Sequence, residues 1–479
     1  MNLFLFLIIQ LFYLIAGFWS LQHSNEQIRL KSKPNIILIM SDDQGYGEVG
    51  YYGHPVLKTP HLDEMSRSGL RLDRFYAGAP VCSPTRSSVL TGRTNDRSAV
   101  YSVGYPMRLQ EKTIAQALQK TGYSTAHFGK WHLDGLKGPG VPILATDKRN
   151  PGFFGFDYWL SSTNYFDTNP LLSRNGVFEA FTGNTSELLV DEALAYLKSE
   201  NKKGKPVFQV IWLSSPHGPW HADKRDYKQF KKLDSSIAHH YGEIIEVDRA
   251  VGKLRSGLRK LDLEDNTILW FNSDNGGVKE FGSDVSGGLK GFKGEVYEGG
   301  IRVPCIIEWP GTIIPRISSF PSVTMDIYPT ILDILDLPQE PKGYPMDGIS
   351  LKGLFQEDLL ERLKPIGFRY QGKAAFIDKH MKLVKSKANN SFFEIYNLEN
   401  DPLEKDNLII SHPEISARLI ASFEQWNKSV ECSIGGKDYE GGLANPDPAP
   451  VFWKDDDAFK AFIPFLLSRP EYKKAQVEN

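Results

Sequence analysis

Four stretches of this chain are apolar or β-favouring throughout and stop abruptly at polar or glycine-rich residues; no other feature constrains the fold as much. Asn35-Ile36-Ile37-Leu38-Ile39-Met40 runs into Ser41-Asp42-Asp43-Gln44-Gly45, and Tyr123-Ser124-Thr125-Ala126-His127-Phe128 into Gly129-Lys130-Trp131-His132. Val207-Phe208-Gln209-Val210-Ile211-Trp212-Leu213 runs into Ser214-Ser215-Pro216-His217, and Thr267-Ile268-Leu269-Trp270-Phe271 into Asn272-Ser273-Asp274-Asn275-Gly276-Gly277. Continuous runs of this kind suit central parallel strands buried on both faces. Helical stretches lie between them. Thr59-Pro60 opens one that ends near Gly69, with a cap and a first-turn proline. Thr113 to Lys120 is a second, closed by Gly122, and Glu187 to Glu200 a third. From Tyr241 to Leu261, Ile244, Val247, Val251, Leu254, Leu258 and Leu261 step by three and four. The alternation predicts an α/β fold, a large, mostly parallel sheet with helices on both faces. In such sheets reactive groups gather beyond the carboxyl ends of the strands. That edge would carry Asp42, Asp43, Lys130, His132, His217, Asp274 and Asn275.

The rest of the chain sets boundaries. With 479 residues, 41% hydrophobic and 24% charged, it has enough apolar side chain for one large core or two, which rules out disorder and a multi-span membrane protein. Lys+Arg 56 against Asp+Glu 58 shows no basic bias toward nucleic acid or an anionic membrane, so an anionic substrate needs a local basic pocket. Leu3 to Trp19 is an apolar run of signal-peptide length, with Ala16, Gly17 and Ser20 as small residues for cleavage. Residues 1–25 are accordingly expected to be removed on export, leaving no stable membrane association. Three cysteines make no disulfide framework. Cys305, in an apolar run, is expected in the core; Cys432 is expected to follow a helix. Near residue 365 the pattern changes to short strands, Ile366 to Tyr370, Ala374 to Ile377, Lys382 to Val384 and Phe392 to Tyr396, spaced for a small antiparallel sheet. A helix from Glu414 to Trp426 follows. The domains expected are 33–364, catalytic, and 365–479, a C-terminal subdomain and tail.

Two groups of residues carry chemistry. Adjacent carboxylates Asp42 and Asp43 repel unless a cation joins them, and Asp274 with the Asn275 carbonyl adds oxygen ligands. An all-oxygen set suits Ca²⁺ or Mg²⁺ rather than zinc. The second group is Cys82-Ser83-Pro84-Thr85-Arg86, continuing through Leu90-Thr91-Gly92-Arg93. Small polar residues, a proline and an arginine after Cys82 argue against an apolar core around it. They make it a candidate nucleophile at a helix N-terminus, with Arg86 as charge partner.

The stretch from Cys82 to Arg93 resembles the signature of type I sulfatases. Asp42-Asp43 with Gly45, Gly129-Lys130-Trp131-His132, Pro216-His217, Ser273-Asp274-Asn275-Gly276, and Lys293 with Glu298-Gly299-Gly300 all fall in that family's order. Tyr396-Asn397-Leu398, Asp401-Pro402, Glu404 and Asn407-Leu408 resemble its second domain. The resemblance implies an alkaline-phosphatase-like sheet and hydrolysis of sulfate esters. It implies that a modifying enzyme oxidises Cys82 to formylglycine, whose hydrate is a geminal diol. One hydroxyl attacks sulfur and the alcohol leaves; the second loses its proton and expels sulfate. It further implies one Ca²⁺, ahead of Mg²⁺, on Asp42, Asp43, Asp274, Asn275 and residue 82. Arg86 would steady the diol, and Lys130 and Lys293 would bind sulfate oxygens. His217 would act near the leaving oxygen as general acid, and His132 would be the base of the elimination. Lys290 has no assignment.

The implied substrate is a sulfated carbohydrate, of galactose or N-acetylgalactosamine type, met in the periplasm, outside the cell, or in a secretory or lysosomal compartment. Specificity is expected in loops around 138–182 and 216–228 and in the tail. Arg149, Arg174, His221, Lys224 and Arg225 lie in those loops, and Trp220, His221 and Trp453 are rim candidates. The aromatic stretch from Phe153 to Phe166 is read as packing under a long loop. The rival readings are a metal-dependent phosphohydrolase of the same superfamily, which commonly carries Ser or Thr at the nucleophile, and a catalytically silent sugar-binding protein.

Overall fold

A computed structural model describes residues 32–166, 168–338, 344–387 and 392–473. The expected signal segment lies outside these residues. Ten strands build the main sheet: β1 Asn35–Ser41, β2 Leu70–Leu72, β3 Ser124–Lys130, β4 Tyr158–Ser162, β5 Leu171–Arg174, β6 Val177–Ala180, β7 Val207–Trp212, β8 Thr267–Ser273, β9 Cys305–Glu308 and β10 Arg316–Ser318. Their spatial order is β10-β2-β9-β8-β1-β7-β3-β4-β5-β6. The five central strands, β8-β1-β7-β3-β4, are all parallel, and antiparallel pairing enters on both sides, at β9 and at β5. The four apolar runs are thus four adjacent central strands, and each is buried along its whole length.

The helices relevant to the site are α1 Pro60–Ser68, α2 Cys82–Thr91, α3 Ile114–Gln119, α4 Thr185–Lys202, α5 Ser235–Lys260 and α6 Pro413–Ile434. Leu62 and Met65 of α1, Leu189 and Ala193 of α4, and Val247, Val251 and Leu254 of α5 cover one sheet face, against Ile37, Ile39, Phe128, Ile211 and Phe271. On the other face Trp212 lies under the Arg86 guanidinium of α2, 5.1 Å from its ring centre. Leu254 is fully buried in the α5 contact. Leu254→Ala should cost about 2–5 kcal/mol, read as a lower denaturant midpoint at unchanged slope.

Four further strands, β11 Ile366–Tyr370, β12 Lys373–Asp378, β13 Met381–Lys385 and β14 Glu394–Asn397, form an antiparallel sheet in that order. One face shares a core with Tyr76, Val296, Ile301 and Val323, and the other packs on Leu419 and Phe423 of α6. The helix runs eight residues beyond Trp426, so Cys432 lies within it rather than after it. Bonds from Arg97 carry it on: it donates to Ser433 Oγ at 2.6 Å and to Ser429 Oγ at 2.8 Å. Cys305 is buried in β9, as expected. Part of the aromatic stretch is not loop packing, because Tyr158 and Trp159 open the central strand β4. Among the described residues, no helix is long and apolar enough to cross a membrane.

Candidate active site

The carboxyl ends of β1, β3, β7 and β8 bring seven of the expected residues to one place. Backbone bonds fix the ends in register: Asp42 N donates to Ser215 O and Asp274 N to Ser41 O, both at 3.1 Å. At the end of β3, Gly129 has φ +96°, and a Cβ there would lie 2.0 Å from Trp212 O, so only glycine lets Lys130 follow at this spacing. Asp43 and His132 hold φ of 68° and 59°. Non-glycine residues in this left-handed region are uncommon and concentrate where function fixes the backbone.

Cys82 is the first residue of α2 and 1% exposed. Thr85 Oγ1 ties the approach to the helix, accepting from Ala79 N at 3.1 Å and donating to Ala79 O at 2.9 Å. The loop carrying Lys293 is fixed on both flanks, by Lys293 N to Gly277 O at 3.0 Å and Gly294 N to Pro80 O at 2.9 Å. Lys290 turns away to Tyr396 Oη, 2.9 Å, and the Glu404 carbonyl, 3.2 Å, which makes it a link to the small sheet.

Three carboxylates face three cations. Asp42 Oδ2 accepts from Lys130 Nζ at 2.6 Å and lies 3.2 Å from Arg86 Nη2. Asp274 Oδ2 accepts from Arg86 Nη2 at 2.6 Å, and Asp274 Oδ1 from Asp43 N at 3.1 Å. Asp43 Oδ2 accepts from Lys293 Nζ at 2.6 Å, and Asp43 Oδ1 from Asn275 Nδ2 at 2.8 Å. Arg86 is therefore the partner of two carboxylates, not of Cys82 alone. Burial alone would raise the Asp42 carboxyl, but Lys130, His217, Arg86 and Lys293 together hold it far below the usual range. Burial and the neighbouring Asp42 push Asp274 up to about 7, against the pull of Arg86. Burial pushes the Cys82 thiol up to about 12, with Lys130 and Lys293 offsetting only part. Burial, Lys130 and Lys293 lower His217 to about 4.

Several acceptors here lack donors. Asp42 Oδ1 and Asn275 Oδ1 are buried without a hydrogen-bond partner, as are both ring nitrogens of His132. Ligand atoms of Asp42, Asp43, Cys82 and His217 lie within 4.8 Å of one another. Unsatisfied buried acceptors are costly; Asp42 Oδ1 and Asn275 Oδ1 are two such oxygens, beside the Asp43 carboxylate to which Asn275 Nδ2 donates. Oxygen donors of this kind suit a hard divalent cation. His217 Nδ1 lies 2.6 Å from Gly218 O, its Nε2 is 3.8 Å from Asp43 Oδ2, and its ring stacks on Tyr165 at 5.0 Å and 17°. Tyr165 stood in the sequence only as one aromatic among seven.

The outer residues divide. Trp220 and His221 line a cleft that begins at His217. Trp453 does not reach the rim: it is fully buried in a separate core with Phe459, Leu466 and Tyr472. Arg174 is held by Glu179 and Glu192, both at 2.8 Å, and Arg225 by Glu187. Lys224 and Arg225 line a different depression. Arg149 donates from Nε to Met107 O at 3.3 Å, a packing role.

Comparison with known proteins agrees with this arrangement. The Sulfatase family model matches residues 34–337. N-acetylgalactosamine-6-sulfatase of Rattus norvegicus is 30% identical over 385 residues, covering 71% of this chain and 68% of that protein. Arylsulfatase A of Homo sapiens is 31% identical over 358 residues, covering 68% of each. The crystal structure of Ps i-CgsB in complex with k-i-k-neocarrahexaose superposes with a TM-score of 0.74 at 25% identity, covering 93% of this chain and 99% of that one. The family match spans the strands whose ends carry the carboxylates and lysines; on that ground the chain belongs to the sulfatase family and is an enzyme that hydrolyses sulfate esters.

Proposed function

We propose that this sulfatase is formylglycine- and divalent-cation-dependent and acts on a sulfated carbohydrate of galactose or N-acetylgalactosamine type. The observation that carries the reading is Cys82: a buried helix-initial thiol, close to Asp42, Asp43 and His217, held protonated at neutral pH by its burial. A protonated thiol is a poor nucleophile, so conversion by a modifying enzyme is the chemistry this position favours. Asp42, Asp43, Asp274 and Asn275 would hold the cation, Ca²⁺ ahead of Mg²⁺. The cation would supply positive charge at the sulfate, and the formylglycine hydrate two hydroxyls on one carbon, one to attack sulfur and one to release sulfate.

The chain's own residues do the rest. Lys130 and Lys293, each 2.6 Å from a carboxylate, are placed to take sulfate oxygens as charge builds on them. His217, its Nδ1–H held by Gly218 O, turns Nε2 toward the site; burial and the two lysines keep the free ring neutral, so Nε2 takes up a proton with the anionic ester and then hands it to the departing alcohol oxygen. His132, buried with both nitrogens unengaged, is the base for the release step. The sugar assignment is supported by the relatives named above, and export by the apolar segment Leu3 to Trp19.

Peptide mass across residue 82 of active enzyme is expected to show an aldehyde in place of the thiol; an intact thiol in fully active protein would overturn the mechanism. His217→Ala should slow release of a sugar alcohol by about 10²–10⁴-fold. A sulfate of an acidic phenol, which leaves without a proton, should be slowed far less, and equal losses on both would remove His217 from the acid role.

A further inference from the structure

A cleft of about 930 Å³, near the upper end of the range for small-molecule sites, starts at His217. Its walls come from four separate segments of chain, among them the C-terminal one ending at Tyr472. With His217 assigned to the leaving oxygen, what fills this cleft would be the alcohol part of the ester and what is attached to it. Tyr165, Phe166, Leu171, Pro219, Trp220 and Tyr472 give the lining its apolar and aromatic surface, with Thr168, Asn169, His221 and Ser468 as polar groups among them. Among the described residues its Lys, Arg, Asp and Glu side chains are one arginine and one acid, Arg469 and Glu471, and these two pair with each other. Arg469 also donates to the Asn169 carbonyl at 3.1 Å. The sulfate end of the site therefore holds the concentrated charge, while the alcohol end has, among the described residues, no uncommitted lysine or arginine.

A charged neighbour brought into such a cleft loses hydration without gaining a counter-charge, and that penalty is large. A pyranose ring with an apolar C–H face fits against aromatic side chains, and its hydroxyls can reach the polar rim. We propose that the cleft is a saccharide-binding site for uncharged sugar units on the alcohol side of the ester, walled by the C-terminal segment, and that the enzyme discriminates against substrates whose sulfated sugar adjoins a uronate or a second sulfate. The proposal rests on the carbohydrate reading above and narrows it.

The test uses matched pairs of singly sulfated disaccharides, with the ester at each hexose position and the neighbouring unit either a neutral hexose or its uronic acid, alongside 4-nitrophenyl sulfate. For the parent enzyme, kcat/KM should favour the neutral member of the pair that is turned over by about tenfold or more. Glu471→Lys alters an exposed wall residue, adds positive charge and frees Arg469, so the uronate member should gain about tenfold relative to its neutral partner. Trp220→Ala should lower the ratio of disaccharide to 4-nitrophenyl sulfate turnover by about tenfold, and taking the ratio cancels any general damage to the site. Equal or better turnover of the uronate member by the parent enzyme, or an unchanged pair ratio in Glu471→Lys, overturns the proposal while leaving the carbohydrate reading intact. Turnover of 4-nitrophenyl sulfate with none of any disaccharide overturns the carbohydrate reading itself, and the proposal with it.

Discussion

Cys82→Ser is expected to fold as the parent does and to lose sustained turnover by about three orders of magnitude or more. The substitution is nearly isosteric, and the position is the first residue of a helix whose first turn already carries the small, polar Ser83 and Thr85. Nothing in the packing opposes it. The loss is chemical. A serine hydroxyl among Lys130, Lys293 and His217 can still take a sulfuryl group from the ester. It has no second hydroxyl on the same carbon to lose a proton and expel sulfate, so the enzyme should stop with sulfate attached. The measurement is a burst of at most one equivalent of alcohol, followed by a flat trace, with a sulfated residue 82 in the peptide mass. Cys82→Ala should give neither burst nor adduct. A serine variant that turns over continuously within tenfold of the parent would mean that release does not need the diol, and would favour the phosphohydrolase-like use of a simple hydroxyl.

The central sheet was legible because four of its strands are buried on both faces, which leaves no alternation to misread. Asn35–Ser41, Ser124–Lys130, Val207–Trp212 and Thr267–Ser273 lie side by side, and their ends carry the expected residues. Tyr158–Ser162, equally central, was hidden by the aromatic residues before and after it, which mask the strand period. The hairpin Leu171–Arg174 and Val177–Ala180 was hidden for the opposite reason: at the sheet margin it carries charges, and Arg174 there looks like a loop residue until Glu179 and Glu192 appear beside it. The end of α6 could not be read from Asn427-Lys428-Ser429, because the bonds that sustain it come from Arg97, more than three hundred residues away.

Within the site, residue types at strand ends were legible and their pairing was not. Asp42 and Asp43 read as a repelling pair that needs an ion. The fold instead sets Lys130 and Arg86 on one and Lys293 on the other, from three distant segments. The cleft had no local signature at all, since Tyr165, Trp220 and Tyr472 meet only in three dimensions.

That pairing shapes the second large effect. Chelation of divalent cations should abolish turnover while leaving the protein folded. Repulsion among three bare carboxylates would predict unfolding, but Asp42, Asp43 and Asp274 are each held by a buried or half-buried cation at 2.6 Å. With the ion bound, three ionised carboxylates face three cations and the pocket is positive by two, the sign that an anionic sulfate ester requires. Without it that added charge is lost, Asp274 stands at about 7, and Lys130 and Lys293 stay engaged by Asp42 and Asp43. Adding Ca²⁺ back should restore activity and raise the melting temperature, the stabilisation being about 2.7 kcal/mol at a hundredfold excess over Kd. Asp43→Asn is the sharper variant, because asparagine tolerates the φ of 68° at this position where alanine is strained. It keeps an oxygen for Asn275 but removes the charge that faces Lys293. Activity should fall by about three orders of magnitude, and the Ca²⁺-dependent rise in melting temperature should shrink or vanish. Full activity in metal-free parent protein, or an undiminished thermal response in Asp43→Asn, would remove the cation from this set of residues, whatever the state of Cys82.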